Sequence, residues 1–220
     1  MDQHDLPAPG SSERTRVRRI PNKAVTDRSV LRAVLDAGLV AHVAVVDPDG
    51  QPFVLPVAYA RDGDRVIFHG STGSRLFRGL ADGAPTCLTV TLLDGLVLAR
   101  SAFESSMNYR GAMVLGRCSV LVDAEKDDAL RAITDHLLPG RWDDVRAPSR
   151  KELASTVVLA LPLDEASVKV SEGPPNDDPD DLDRPVWAGV VPLRETFGEP
   201  MPDEGGAAFD VPEYVRGWAR

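Results

Sequence analysis

Cysteine is scarce in this chain: Cys87 and Cys118 are the two among 220 residues. Each stands alone among apolar neighbours, in TCLTV and GRCSV. That pattern excludes a disulfide framework and a cysteine metal site. It leaves two buried thiols and a reducing, cytoplasmic compartment as the default. Histidine is also rare: His4, His42, His69 and His136. No HExxH, paired CxxC or nucleophile elbow occurs, so neither a metal site nor triad hydrolysis has support. With no obvious acid, base or nucleophile, a redox cofactor carrying the chemistry is the economical reading. No apolar run is long enough for a membrane helix, and residues 1–12 lack the apolar core of a signal peptide. No membrane partner is therefore expected. The net charge of −9 argues against nucleic acid as a partner of the whole surface. One local exception is the basic arm with Arg14, Arg16, Arg18, Arg19 and Lys23. It reads either as a nucleic-acid arm or, preferably, as a strap paired to acidic groups or an anionic ligand.

What is present is a run of short apolar segments separated by turn residues. Residues 1–24 form an N-terminal arm, partly flexible. TDRSVLRAVLDAG predicts a helix capped by Thr26 or Asp27 and ended by Gly38. LVAHVAVV and FVLPVAYA predict strands joined by Asp47-Pro48-Asp49-Gly50, and RVIFH follows a second turn. Residues 39–69 thus read as a three-strand meander. A short helix, RLFRGLADG, comes next. PTCLTVTLL and GLVLARS read as two strands split at Asp94-Gly95, and another strand spans about Tyr109 to Val122. AEKDDALRAITDHLL is an amphipathic helix stopped by Pro139-Gly140, and STVVLALPL is a strand. Residues 25–172 make the main domain. Residues 173–220 hold an acidic proline-rich loop, a late strand at 186–193 and a tail packing on the same domain or on a partner. Six or seven strands with few helices imply a mainly β (α+β) fold, an antiparallel barrel with peripheral helices.

Three segments could carry chemistry. In Phe68-His69-Gly70-Ser71-Thr72-Gly73-Ser74-Arg75, three hydroxyls, two glycines and a guanidinium precede a helix, as an anion would require. An ordinary strand-to-helix turn with a serine cap explains the same residues. In SMNYRG, Asn108 and Arg110 share a strand face and could read a polar ligand edge, or they could be an exposed strand end. Trp187 could stack on a flat ring or be buried as core.

These segments, in this order and on such a barrel, resemble the pyridoxamine 5′-phosphate oxidase-like FMN-binding split barrels. More narrowly, the chain resembles the flavin-nucleotide-binding, nitroimidazole-resistance-reductase branch. The resemblance runs from about Arg18 to Pro202 and includes PGRW, VRAPSRKEL and RPVWAGVVPL. It implies a homodimer with FMN at the subunit interface. It places His69, Ser71, Ser74 and Arg75 at the ribityl phosphate. It brings the backbone of Pro56 and Val57 past the flavin ring, puts Asn108, Tyr109 and Arg110 in a second binding segment, and lays Trp187 over the ring from the partner chain. His69 is the candidate proton donor. Where the family often has histidine before SMNYR and serine after NYR, this chain has Glu104, Ser105 and Gly111. The function implied is an FMN-dependent oxidoreductase passing electrons from a reduced nicotinamide to a small-molecule acceptor. Alternatives are a non-catalytic flavin carrier or sensor, and a deazaflavin- or haem-using split barrel. Haem ranks last of these, because His4 and His136 lie outside the barrel strands.

Overall fold

The computed structural model describes residues 6–218, so His4 lies outside the described residues. Among the described residues ten strands, all paired antiparallel, and six helices form a mainly β fold. The strands are β1 (Ala24–Val25), β2 (Val40–Val46), β3 (Pro52–Asp62), β4 (Arg65–Ser71), β5 (Pro85–Leu98), β6 (Ser106–Arg117), β7 (Ser119–Leu121), β8 (Thr156–Pro162), β9 (Glu165–Ser171) and β10 (Gly189–Pro192). The helices are α1 (Arg28–Ala37), α2 (Arg75–Ala81), α3 (Asp123–Leu137), α4 (Arg141–Asp144), α5 (Arg150–Ser155) and α6 (Glu213–Arg216). The sheet order is β1-β9-β6-β5-β2-β3-β4-β8-β7, with β10 added beside β5. The expected meander is present as β2-β3-β4.

Local chemistry explains most boundaries. Asp27 caps α1 by accepting the Ser29 N–H at 2.7 Å. Gly38 ends α1 with an ordinary negative φ, so a left-handed cap is not its purpose. A Cβ there would stand 2.5 Å from the Val90 side chain and 2.6 Å from the Tyr59 hydroxyl. Close approach is what requires glycine. Ser149 and Glu152 form a reciprocal capping box on α5.

Asp94-Gly95 is not the turn expected from the sequence. β5 runs unbroken through it, with a register shift between Leu93 and Gly95 against β6. Gly95 is needed because β10 crosses there: its added Cβ would sit 2.9 Å from the Val191 carbonyl oxygen. β9 is a further strand, and its alternating EASVKVS pairs with both β1 and β6.

Two apolar clusters flank the sheet. Leu31, Val34 and Leu35 of α1 pack with Val43, Tyr59, Phe68, Phe77 and Leu161. Ala129 and Ile133 of α3 cover Ala60, Ile67, Val158 and Ala160. The arm packs against β9: the Gly10 N–H donates to Ala166, and Thr15 is buried. Three of its cations are ion-paired, Arg14 with Glu165, and Arg16 and Arg18 with Glu13, and Lys23 donates to the Ser171 hydroxyl. Burial pushes the Cys118 thiol up to about 12, so it stays protonated and unreactive. Among the described residues no helix is long and apolar enough to cross a membrane.

Candidate functional site

Side chains alternate along β4, and that alternation decides the layout. Phe68 points into the first cluster, while Ile67 points into the second, under α3. His69 therefore falls on the α3 side. It lines a groove of about 460 Å³ with Leu130, Trp142, Val145, Pro148 and Leu153. The ring is reached from solvent along the groove, yet protein packs its other sides, and this desolvation lowers its pKa. The imidazole is neutral at pH 7 and has a nitrogen lone pair to offer. The groove's cation, Arg146, is satisfied by Glu152 through two bonds of 2.8 and 2.6 Å. Together with the Ser149 amide it holds the Glu152 carboxyl well below the usual carboxylate range.

Beyond Ser71 the chain turns toward the other side of β4. Gly70 belongs to this side for a packing reason: an added Cβ would stand 2.3 Å from the Phe77 ring. Close approach of an anion is not what the residue is for. Ser71 accepts the Gly73 N–H at 3.1 Å, and Ser74 caps α2 by accepting the Phe77 N–H. Thr72 is tied to the Ser155 carbonyl. Both serine hydroxyls keep their own proton to donate.

Arg75 lies 4.5 Å over the Phe53 ring, a cation–π contact that fixes the guanidinium without neutralising it. Among the described residues it has no ion pair. Arg75 and Ser74 open into a cavity of about 610 Å³ between α2 and the β2–β3 hairpin. Its floor is Val45, Phe53, Leu55, Leu76 and Ala84. An apolar cavity with a guanidinium at its edge suits a ligand with a flat body and an anionic group.

The other predicted residues lie elsewhere. Arg110 donates to Asp94 through bonds of 2.9 and 2.7 Å and lines a separate cavity with Leu93 and Phe197. Asn108 donates to the Gly173 carbonyl at 2.9 Å. Tyr109 pairs with Leu93 and Ser171 across the sheet. Pro56 pairs with His42 on the exposed sheet face, while Val57 is half-buried against the core. Trp187 is 66% exposed and lies beside Gly189. Within one chain, then, Ser74 and Arg75 come together. His69 lies on the opposite face of β4, and Asn108, Tyr109, Arg110 and Trp187 line other surfaces. The residues that sequence reasoning missed are Phe53 under Arg75, and Trp142 with its apolar neighbours around His69. PGRW marked the latter only as a resemblance, without a role.

The protein-family model described as pyridoxamine 5′-phosphate oxidase matches residues 27–170. An FAD and heme binding protein from Mycobacterium smegmatis is 45% identical; the match covers 89% of this chain and 96% of that one, with a TM-score of 0.85. The flavocytochrome Anf3 from Azotobacter vinelandii is 43% identical over 97% of this chain and 99% of that one, with a TM-score of 0.89. A candidate 5-nitroimidazole antibiotic resistance protein from Bacteroides thetaiotaomicron is 23% identical over 67% of this chain and 86% of that one, with a TM-score of 0.56, and shares the fold. Among curated proteins none matches the chain.

Proposed function

The chain belongs to the pyridoxamine 5′-phosphate oxidase family, and from that premise we propose that it is a two-cofactor electron-transfer protein, an oxidoreductase holding a flavin nucleotide in the cavity beside α2 and a haem in the groove lined by His69. The observation that carries this reading is the free guanidinium of Arg75 seated on Phe53 at the rim of an apolar cavity. Ser74 and Arg75 would hold the flavin phosphate, and Phe53 and Leu55 would wall its body.

Haem enters on a separate observation. Among the described residues no three His, Cys, Asp or Glu side chains gather to hold a bare metal ion. Haem needs only one protein ligand, and His69 is a neutral imidazole in an apolar groove. The ranking of haem from sequence lacked this ligand, because His69 was assigned to the flavin phosphate. Two relatives above 40% identity bear names that join flavin to haem or cytochrome.

When bound, the flavin supplies hydride and electron transfer and the haem iron supplies one-electron chemistry. The residues of the chain bind, orient and shield these groups. A reduced nicotinamide is the proposed donor and a small molecule the proposed acceptor.

A homodimer is part of the same reading. The outer sheet face carries exposed Val40, Val46 and Val54, and Leu96, Met107 and Trp187 are also exposed. A second copy would cover such a surface. Pro56 lies on that face, and Tyr109 and Trp187 are on surfaces a partner could reach.

The test is the visible spectrum of the purified chain, with the released flavin identified by mass and the haem by its pyridine complex. Both chromophores at one per chain support the proposal. A flavin without haem would leave the single-cofactor FMN reading, and neither would sink both. Light scattering giving the mass of one chain would remove the dimer.

A further inference from the structure

We infer that Tyr214 is a positioning residue: it makes the C-terminal tail a strap that holds α4, and with it Trp142, closed on the groove lined by His69; what the groove admits rests on the haem reading above. The three helices around this groove are not equally secure. α3 packs Ala129 and Ile133 into the second apolar cluster, and α5 has its capping box. α4 is a single turn, Arg141–Asp144, with no fully buried side chain and no side-chain cap among the described residues. A lone turn of helix does not hold itself together in water. It still supplies Trp142 to the groove, so contacts from outside must fix that wall.

Among the described residues two polar anchors do so. Asp143 accepts from Arg131 of α3 at 2.8 Å. The second anchor comes from α6: the Tyr214 hydroxyl donates to Asp144 at 2.6 Å and accepts from Arg141 at 3.2 Å. One phenol thus ties the first and last residues of the turn. Its ring lies beside Gly140, where an added Cβ would stand 3.6 Å away. Gly140 has a φ of +87°, which glycine adopts without strain, and this bend separates α4 from α3.

The tail is arranged to deliver that contact. It leaves β10 at Pro192 and closes on itself, because the Phe197 and Trp218 rings lie 5.6 Å apart. α6 sits within this closed loop. It is also a four-residue turn with no fully buried side chain. Two short turns that brace each other form a unit of low local stability, and elements of that kind are the ones that open to admit a ligand. Opening the strap frees the α4 wall without disturbing α3, α5 or the sheet.

The experiment starts with trypsin on the haem-free full-length chain, with the fragments identified by mass. Cleavage after Arg141 and Arg146, on either side of Trp142, requires α4 to leave the surface. Tyr214→Phe keeps the ring and removes the hydroxyl. It should speed cleavage at these two bonds by about three- to tenfold, the worth of two ordinary hydrogen bonds, and leave other bonds and the urea midpoint unchanged. Asp144→Ala should act in the same direction, and the double variant should fall short of the product of the two effects. Haem uptake by the haem-free chain and haem release to excess apomyoglobin should both quicken in Tyr214→Phe, because each needs α4 to move. A groove that was merely weakened would release haem faster without taking it up faster, and that result would overturn the inference. So would unchanged cleavage at the two bonds, or cleavage raised alike along the whole chain. A natural chain that takes up no haem would overturn the haem reading, and the cleavage pattern would still decide the strap.

Discussion

The cavity beside α2 and the groove among α3, α4 and α5 present opposite electrostatic characters. On one side Arg75 stands uncompensated over Phe53. On the other the charges cancel internally: Arg146 is bound to Glu152, and the protein packed around part of the His69 ring shifts it toward its neutral form. The first surface suits an anion. The second suits a ligand that wants a lone pair and apolar walls. The two surfaces lie close in sequence because His69 projects from β4 while Ser74 and Arg75 stand at the start of α2, just beyond the end of that strand.

The sharpest way to break this comparison is to remove His69. His69→Ala should abolish haem retention, read as loss of the intense near-ultraviolet band, while flavin content stays near that of the natural chain. If flavin falls and haem remains, the two faces have been assigned the wrong way round.

Next in size is Arg75. Arg75→Ala should cost about 1.5–3 kcal/mol of flavin binding, roughly a ten- to hundredfold loss of affinity. Arg110→Ala sharpens the point, because the Arg110 guanidinium is already spent on Asp94. It should change flavin affinity several-fold less. Equal losses from the two variants in a flavin titration would show that Arg110 leaves Asp94 to meet the ligand, as it could in a dimer.

This pair also shows what was legible in the sequence. The helices at Arg28–Ala37 and Asp123–Leu137 and the β2-β3-β4 meander follow from periodicity and caps. The family resemblance likewise pointed to the split barrel. In FHGSTGSR contiguity groups His69 with Ser74 and Arg75, whereas in the structure the period of two puts it beside Ile67, lining a different pocket. That information lay in the letters. The Arg110–Asp94 pair did not, because it depends on β5 continuing through Asp94, which reads locally as a turn. Phe53 under Arg75 joins two segments 22 positions apart in the numbering, and no local pattern reports that contact.

Two glycines give a smaller contrast between the core side and the cavity side. Gly70→Ala should destabilise by about 1–3 kcal/mol, because the Phe77 ring must move. Gly79→Ala faces open space inside a helix and should stabilise by about 0.5–1 kcal/mol. Urea unfolding of both variants would read the two signs. A destabilising Gly79→Ala would mean that α2 packs more tightly than it does here.

The smallest effect concerns the charge of His69. Its pKa in the folded chain lies below the ordinary value near 6.5 because burial penalises the cation. The unfolded chain therefore binds more protons between the folded pKa and 6.5, and the stability from this group rises with pH across that window. Its contribution is full above about 6.5 and is lost as pH falls through the folded value. His69→Gln removes the titration, so its stability should fall less than that of the natural chain between neutral pH and the folded pKa. The ring is reachable from the groove, so water screens the imidazolium and the difference should be modest. Urea midpoints of haem-free protein, taken in steps from pH 8 to pH 5, measure it directly. Parallel curves for the two proteins would show that the groove solvates the imidazolium as well as water does. The argument for a neutral ligand held on that face of β4 would then lose its electrostatic half and keep only the apolar walls.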